Sequence, residues 1–310
     1  MSTARKYRKA KSVTAQPELF DRELLRMRRR TALVNAKPGS DFLLKAVAED
    51  LEERLSTITR TFETAIDLGG HCGHVESLLS ATGKAKTLYR ADLWQPDPHL
   101  TAPAFVADDT VLPLKDQSTD LIVSALSLQF VNDLPGTLIQ IRRALRPDGL
   151  FLATLAGAGT LTELRDCLTR AELELKGGAA ARVMPFADTR DLGGLLQRAG
   201  FALPVTDMDP LTVRYNSMFD LMADLRAMGA TNILKDRSKK SLAKSVFFRA
   251  AQLYAQDYAD PDGRVRATFN MVTLLGWAPH SSQQRPLKPG SAKTRLAAAL
   301  GTEEVGLKRG

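Results

Sequence analysis

The chain has 310 residues, 44% of them hydrophobic and 25% charged, with a formal net charge of +8; these are the proportions of an ordinary globular protein with a sizeable core. No stretch approaches the roughly 18 apolar residues of a membrane span and no apolar signal segment follows Met1, so a cytoplasmic protein is expected. The two cysteines, Cys72 and Cys167, are far apart and exclude a disulfide framework.

In chain order, residues 1–39 read as a basic arm: Arg5, Lys6, Arg8, Lys9 and Lys11 precede the first acid, Glu18, and Arg26, Arg28, Arg29 and Arg30 follow. The plain reading is a solvated segment; its charge would also draw an acidic protein or put it in peripheral contact with anionic lipid. RNA is disfavoured because no aromatic residues interleave with the cations. Pro38-Gly39-Ser40 closes the arm, and Ser40 is placed to cap a helix carrying Leu43, Leu44, Val47, Leu51 and Leu55 at three-to-four spacing.

Residues 64–68 form a short apolar run that breaks into Gly69-Gly70, with helix following through Val75, Leu78 and Leu79. The rhythm repeats: strands are expected over 86–91, ending at Asp92, over 104–107, ending at Asp108-Asp109, and over 120–125; a helix over 133–145 is stopped by Arg146-Pro147-Asp148-Gly149, and a strand follows over 150–155. Alternating strands and helices with apolar strand interiors predict an α/β fold, a mainly parallel sheet covered on both faces. Residues 188–199 read as a helix ending at Gly200 and 201–205 as a strand. Residues 210–265 read as a helical insertion, 266–280 as the last core strand and 281–310 as a basic tail, so that 40–209 is the main core.

Chemistry concentrates at Asp67-Leu68-Gly69-Gly70-His71-Cys72-Gly73, where strand, glycine turn and helix start come in the order a nucleotide-type cofactor needs. Glycines admit close approach, and a helix N-terminus offers unpaired N–H groups. Asp92, about 20 residues on, stands where a carboxylate accepts from ribose hydroxyls, and Asp108 where an adenine amino group is read. Each aspartate alone is more economically a cap or turn residue. The three in register point to a ligand.

With Leu126-Ser127-Leu128-Gln129-Phe130-Val131-Asn132-Asp133-Leu134, these residues resemble the class I S-adenosylmethionine-dependent methyltransferases, a Rossmann-like fold with a seven-stranded sheet. More narrowly the chain is similar to the methyltransferase-like assembly factors of respiratory complex I, of arginine-hydroxylase type, and more distantly to the malonyl-carrier-protein methyltransferases of biotin synthesis. Leu19-Phe20-Asp21-Arg22, Thr160 to Arg165, Asp191 to Phe201, Met218 to Gly229 and Arg285-Pro286 carry that resemblance. It implies S-adenosyl-L-methionine as cofactor, held by Asp67, Gly69, Gly70, Gly73, Asp92, Leu93, Asp108, Asp109 and Ser124. It implies a protein substrate on complex I, with methylation of a small molecule or of an acyl carboxylate on an acidic carrier protein and a non-catalytic assembly chaperone as the alternatives, and a mitochondrial matrix location if the source is eukaryotic.

Two residues depart from the family's pattern: His71 stands for the middle glycine of the loop, and Gln129 where relatives often have histidine. No catalytic residue is assigned, because methyl transfer to a carboxylate needs positioning rather than a strong base. His71, Cys72 and His74 with Asp92 raise the thought of zinc or iron, but their spacing is not a recognised ligand pattern and no metal is expected. Cys72 lacks a base to make it a nucleophile. His99 and His280 read as loop residues, and Tyr215, Met218, Phe219 and Met222 as core or the lining of a substrate entrance.

Overall fold

The computed structural model describes residues 18–94, 102–284, 291, 297–298 and 301–302. The cations Arg5 to Lys11, His99 and Arg285-Pro286 lie outside them. Residues 280–310 form a unit apart from residues 1–279.

Seven strands make one sheet in the order β3-β2-β1-β4-β5-β7-β6. They are β1 (Phe62–Leu68), β2 (Ala85–Asp92), β3 (Ala104–Val106), β4 (Thr119–Ala125), β5 (Leu145–Ala156), β6 (Ala202–Tyr215) and β7 (Val265–Trp277). All neighbours are parallel except β7, which runs antiparallel to both β5 and β6. The helices are α1 (Arg22–Val34), α2 (Phe42–Ser56), α3 (His74–Thr82), α4 (Leu134–Ala144), α5 (Thr162–Lys176), α6 (Thr189–Ala199), α7 (Met218–Ala227) and α8 (Lys244–Tyr258).

Every residue of β4 is buried, with the apolar run Leu121 to Val123 at its centre, as a central strand covered on both faces requires. One sheet face packs Leu51, Leu79, Leu121 and Leu152 with α2, α3, α5 and α8; the other packs Ile66, Ile122 and Phe151 with α4 and α6. The chain leaves β1 outward to β2 and β3, then returns to β4 on the other side of β1. That reversal opens a crevice at the carboxyl ends of β1 and β4.

Several boundaries differ from the sequence reading. Asp41, not Ser40, precedes α2, and its side chain makes no cap hydrogen bond. Helix α5 was not anticipated, because Glu163, Cys167 and Glu172 interrupt its buried stripe. Strand β6 runs to Tyr215, ten residues past the expected Val205, because Asp207 to Tyr215 pairs with Thr273 to Val265 even though its side chains are mostly exposed. An alternating polar face hides such a strand from a search for apolar runs. Since β6 runs in the direction of β1, its carboxyl end launches α7 and α8 from the same edge of the sheet as the crevice.

The largest correction concerns the basic arm, whose second half is not a solvated segment. Residues 22–34 form α1, capped by the Asp21 carboxylate accepting from Leu24 N–H at 3.0 Å. Leu25, Arg29 and Ala32 are buried at helical spacing, and an arginine in the middle of the stripe masked it. Phe20 fixes the helix start: its N–H donates to Asn132 Oδ1 at 2.7 Å and its carbonyl accepts from Asn132 Nδ2 at 3.1 Å. Asp21 N–H donates to Ile233 O, and Lys235 N–H to Leu19 O. The segment thus straps the loop after β4 to the loop between α7 and α8. At Gly229 (φ 67°) a Cβ would lie 3.0 Å from the Arg29 Cα, so the strap's close approach requires glycine there.

Candidate functional site

Strand β1 delivers Asp67 to the turn Gly69 to Gly73. Gly69 is left-handed (φ 75°), and a Cβ on it would lie 2.2 Å from Ser127 Oγ; the turn therefore packs directly on the loop after β4. Gly73 (φ 82°) starts α3, and its N–H donates to Gly70 O at 2.9 Å. His71 is also left-handed, at φ 48°, the conformation that suits glycine and costs a branched-β-carbon-free side chain about 1 kcal/mol. Its ring stands edge-on to Trp94 at 5.6 Å.

Beneath the turn lies a buried ion cluster. Arg90 is fully buried and donates to Asp92 Oδ2 at 3.0 Å and to the His71 carbonyl at 3.1 Å. Glu76 and Asp67 flank its Nε at 3.6 and 3.9 Å. His71 N–H in turn donates to Asp92 Oδ1 at 3.1 Å. Three carboxylates share one guanidinium, so burial and the nearby Asp92 charge push Asp67 up to about 8, a carboxyl neutral at pH 7. Burial also raises Asp92.

Leu68, Gly69, Ala91, Asp92, Leu93, Trp94, Ala107, Asp109, Ser127 and Arg29 enclose a recess at the carboxyl ends of β1 and β2 that leaves no volume for a water-sized sphere. From the strap, Arg29 closes it. Arg29 lies 6% exposed, donates to Leu126 O at 2.6 Å and reaches Ser127 Oγ at 3.4 Å, with its guanidinium 5.0 Å from the Phe130 ring. Burial lowers it to about 10, so it stays cationic at neutral pH. Arg22 donates to Phe130 O at 2.9 Å and pairs with Asp109. Asp109 is raised to about 6 by burial in spite of that partner.

Arg29 also lines a second, larger space of about 480 Å³. Its walls include Leu33, Lys37, Ser40, Asp41, His71, Cys72, Gln129, Phe130, Thr160, Met184, Phe186, Met228, Phe269 and Met271. This cavity is where His71 and Cys72 face, and His71 is absent from the recess wall. Burial, then the Arg29 charge, pulls His71 down to about 3, which leaves a neutral imidazole; burial pushes the Cys72 thiol up to about 12, which leaves it protonated and a poor nucleophile.

Of the residues expected to hold a cofactor, Gly69, Asp92, Leu93 and Asp109 line the recess together. Asp67, Gly70 and Gly73 shape the turn from below and behind. Asp108 lies beside the recess with its side chain half exposed and accepts from Thr110 N–H and hydroxyl. Ser124 is turned into the sheet, where its hydroxyl donates to Leu68 O at 2.8 Å. Arg29, Trp94, Ser127 and Arg90 were missed. Only Ser127 carried a signal, by its place in the run after β4. The donor set fits an adenosyl cofactor: a carboxylate at the end of β2, a second at the end of β3 and a glycine turn at a helix start. Arg29 and Trp94 line the recess beside Asp92 and Ser127.

A methyltransferase-domain family profile matches residues 42–204. A Danio rerio protein named arginine-hydroxylase NDUFAF5, mitochondrial, is 36% identical over 287 residues, covering 90% of this chain and 88% of its own. A malonyl-[acyl-carrier protein] O-methyltransferase of Halorhodospira halophila is 32% identical over 260 residues, covering 81% and 86%. Among solved structures, the YcgJ protein of Bacillus subtilis superposes with a TM-score of 0.52 at 12% identity, over 75% of this chain and 99% of its own, a likeness of fold. No helix among the described residues is long and apolar enough to cross a membrane.

Proposed function

The chain belongs to the methyltransferase-domain family, an enzyme that uses S-adenosylmethionine, and from that premise we propose that it modifies an arginine side chain of a protein partner, a subunit of respiratory complex I during assembly. The observation that carries this reading is the near end-to-end likeness to an arginine-hydroxylase, 90% of one chain and 88% of the other. A match of that extent takes in the helices between β6 and β7 as well as the cofactor core. The large cavity supports it. Leu33, Met184, Phe186 and Met271 offer apolar walls for an arginine stem.

We assign the cofactor's nucleoside to Gly69, Asp92, Leu93, Trp94, Asp109 and Ser127, with the turn held from below by Asp67, Gly70, Gly73 and Arg90. When bound, S-adenosylmethionine would supply an electrophilic sulfonium methyl, the chemistry of the second reading below; adding an oxygen to arginine takes dioxygen and two electrons from an external reductant, with water as the second product. Such a partner places the protein in the bacterial cytoplasm or the mitochondrial matrix.

A second reading is methylation of an acyl carboxylate on an acidic carrier protein. Arg29 and Lys37 in the cavity wall favour it, since two cations there attract an anion. Mass spectrometry of candidate partners from cells with and without the gene separates the two. One added oxygen on arginine supports the first reading, one added methylene on a carboxylate the second, and no difference in mass refutes both.

A further inference from the structure

Cys72 is a half-buried residue of the glycine turn, and His74 is the first residue of α3. Gly73 between them is left-handed, which turns the chain sharply enough for side chains two residues apart to converge. Opposite them, at the start of α2, stands Asp41. Its position is that of a helix cap, yet the carboxylate makes no cap hydrogen bond and turns to His74 Nε2 at 2.6 Å. One ligand atom from each of Asp41, Cys72 and His74 lies within 4.8 Å of the other two. All three residues are partly accessible, and Asp41 and Cys72 line the large cavity.

From this juxtaposition we propose that Asp41, Cys72 and His74 form a binding site for a divalent transition metal of the iron and zinc type. A thiol, an imidazole and a carboxylate form a borderline-soft set that suits zinc and iron over magnesium and calcium. Bonds of about 2.0 to 2.3 Å in a tetrahedral arrangement separate ligand atoms by roughly 3.3 to 3.7 Å. The aspartate and histidine therefore open by less than about 1 Å and the sulfur closes by about as much, within reach of side-chain rotation. Three protein ligands leave at least one coordination position free, the arrangement of a catalytic rather than a structural site. Asp41 and Cys72 both belong to the wall of the large cavity, so an ion held there would border it. The site differs from the set weighed from sequence: His71 and Asp92 are engaged elsewhere, the one against Trp94 and the other with Arg90.

Metal binding is tested without substrate, so its failure is distinguishable from failure of the arginine reading. Untagged full-length protein is stripped with a chelator and titrated anaerobically with cobalt(II), whose bond to a thiolate gives a charge-transfer band in the near ultraviolet. One equivalent is expected to bind with that band. Cys72→Ala should abolish the band, Asp41→Asn and His74→Ala should weaken binding at least about tenfold, and Cys167→Ala should change neither. Displacement of cobalt by zinc(II) or iron(II) identifies the preferred ion. Absence of stoichiometric binding by the wild-type protein overturns the proposal, as does a band that survives Cys72→Ala or disappears with Cys167→Ala. Circular dichroism of each variant separates loss of a ligand from loss of the fold.

Discussion

The Arg29 guanidinium of α1 reaches the Ser127 hydroxyl at 3.4 Å and the neighbouring Leu126 carbonyl at 2.6 Å, so a cation from the N-terminal strap fills the mouth of the recess formed by the glycine turn and Asp92. A form that must open before it binds loses apparent affinity in proportion to the closed population. Arg29→Ala should tighten S-adenosylhomocysteine binding about fivefold or more and lower unfolding stability by about 1 to 3 kcal/mol, for the lost hydrogen bond and the carbonyl left behind. Titration calorimetry and thermal unfolding measure the two. Weaker binding by the variant would make Arg29 a ligand contact and not an obstacle.

Asp92 serves the turn and, in the assignment made here, the ribose. Asp92→Ala should weaken adenosyl-ligand binding by about 1 to 3 kcal/mol, read as a rise of roughly 5- to 150-fold in Kd. Unaltered affinity in a folded variant removes the ribose assignment. A loss of stability with affinity retained leaves Asp92 only the role of partner to Arg90 and His71.

Stability should carry a signature of Asp67. Its carboxyl is raised to about 8 in the folded protein, first by burial and then by the charge of Asp92, against an ordinary value of 3.8 when unfolded. The folded state therefore holds a proton that the unfolded chain has released, and the slope of stability with pH is negative in that interval. The contribution is full below about pH 4 and is lost as pH rises toward 8. Asp67→Asn, which keeps the neutral form at every pH, should flatten the fall in Tm between pH 5 and pH 8 by about 3 °C or more. Equal slopes for the two proteins would place the proton elsewhere in the cluster.

Arg226, Lys239 and Lys240 line a separate groove of about 490 Å³ beside Arg28, Arg182 and Arg237. Lys235 faces away from it in an ion pair with Glu18. Reversing charge at Arg226, Lys239 and Lys240 should slow association with an acidic partner and reduce its salt dependence, while leaving cofactor binding intact. Surface plasmon resonance at low and high salt gives both numbers. Unchanged association rates and salt slopes would exclude this groove as the electrostatic docking face.

Local pattern was enough to determine the strand, glycine turn and helix at 64–79, the acid ending β2 and the alternation that makes a parallel sheet. Continuous apolar runs identify strands buried on both faces, and after β1 the left-handed Gly69 ends the run. The length of β6 was hidden because its pairing with β7, not its side-chain burial, holds it in the sheet. Whether Arg22 and Arg29 are solvated or buried was likewise beyond local pattern. Their partners Asp109, Ser127 and Leu126 lie some 87 to 98 residues away, and an arginine in a polar helix looks the same in either place. Asp41 meets Cys72 and His74 only because α2 and α3 pack side by side on one face of the sheet. Periodicity specifies which side of an element is apolar; which polar groups then face each other depends on how the elements are packed, and that is decided by the fold.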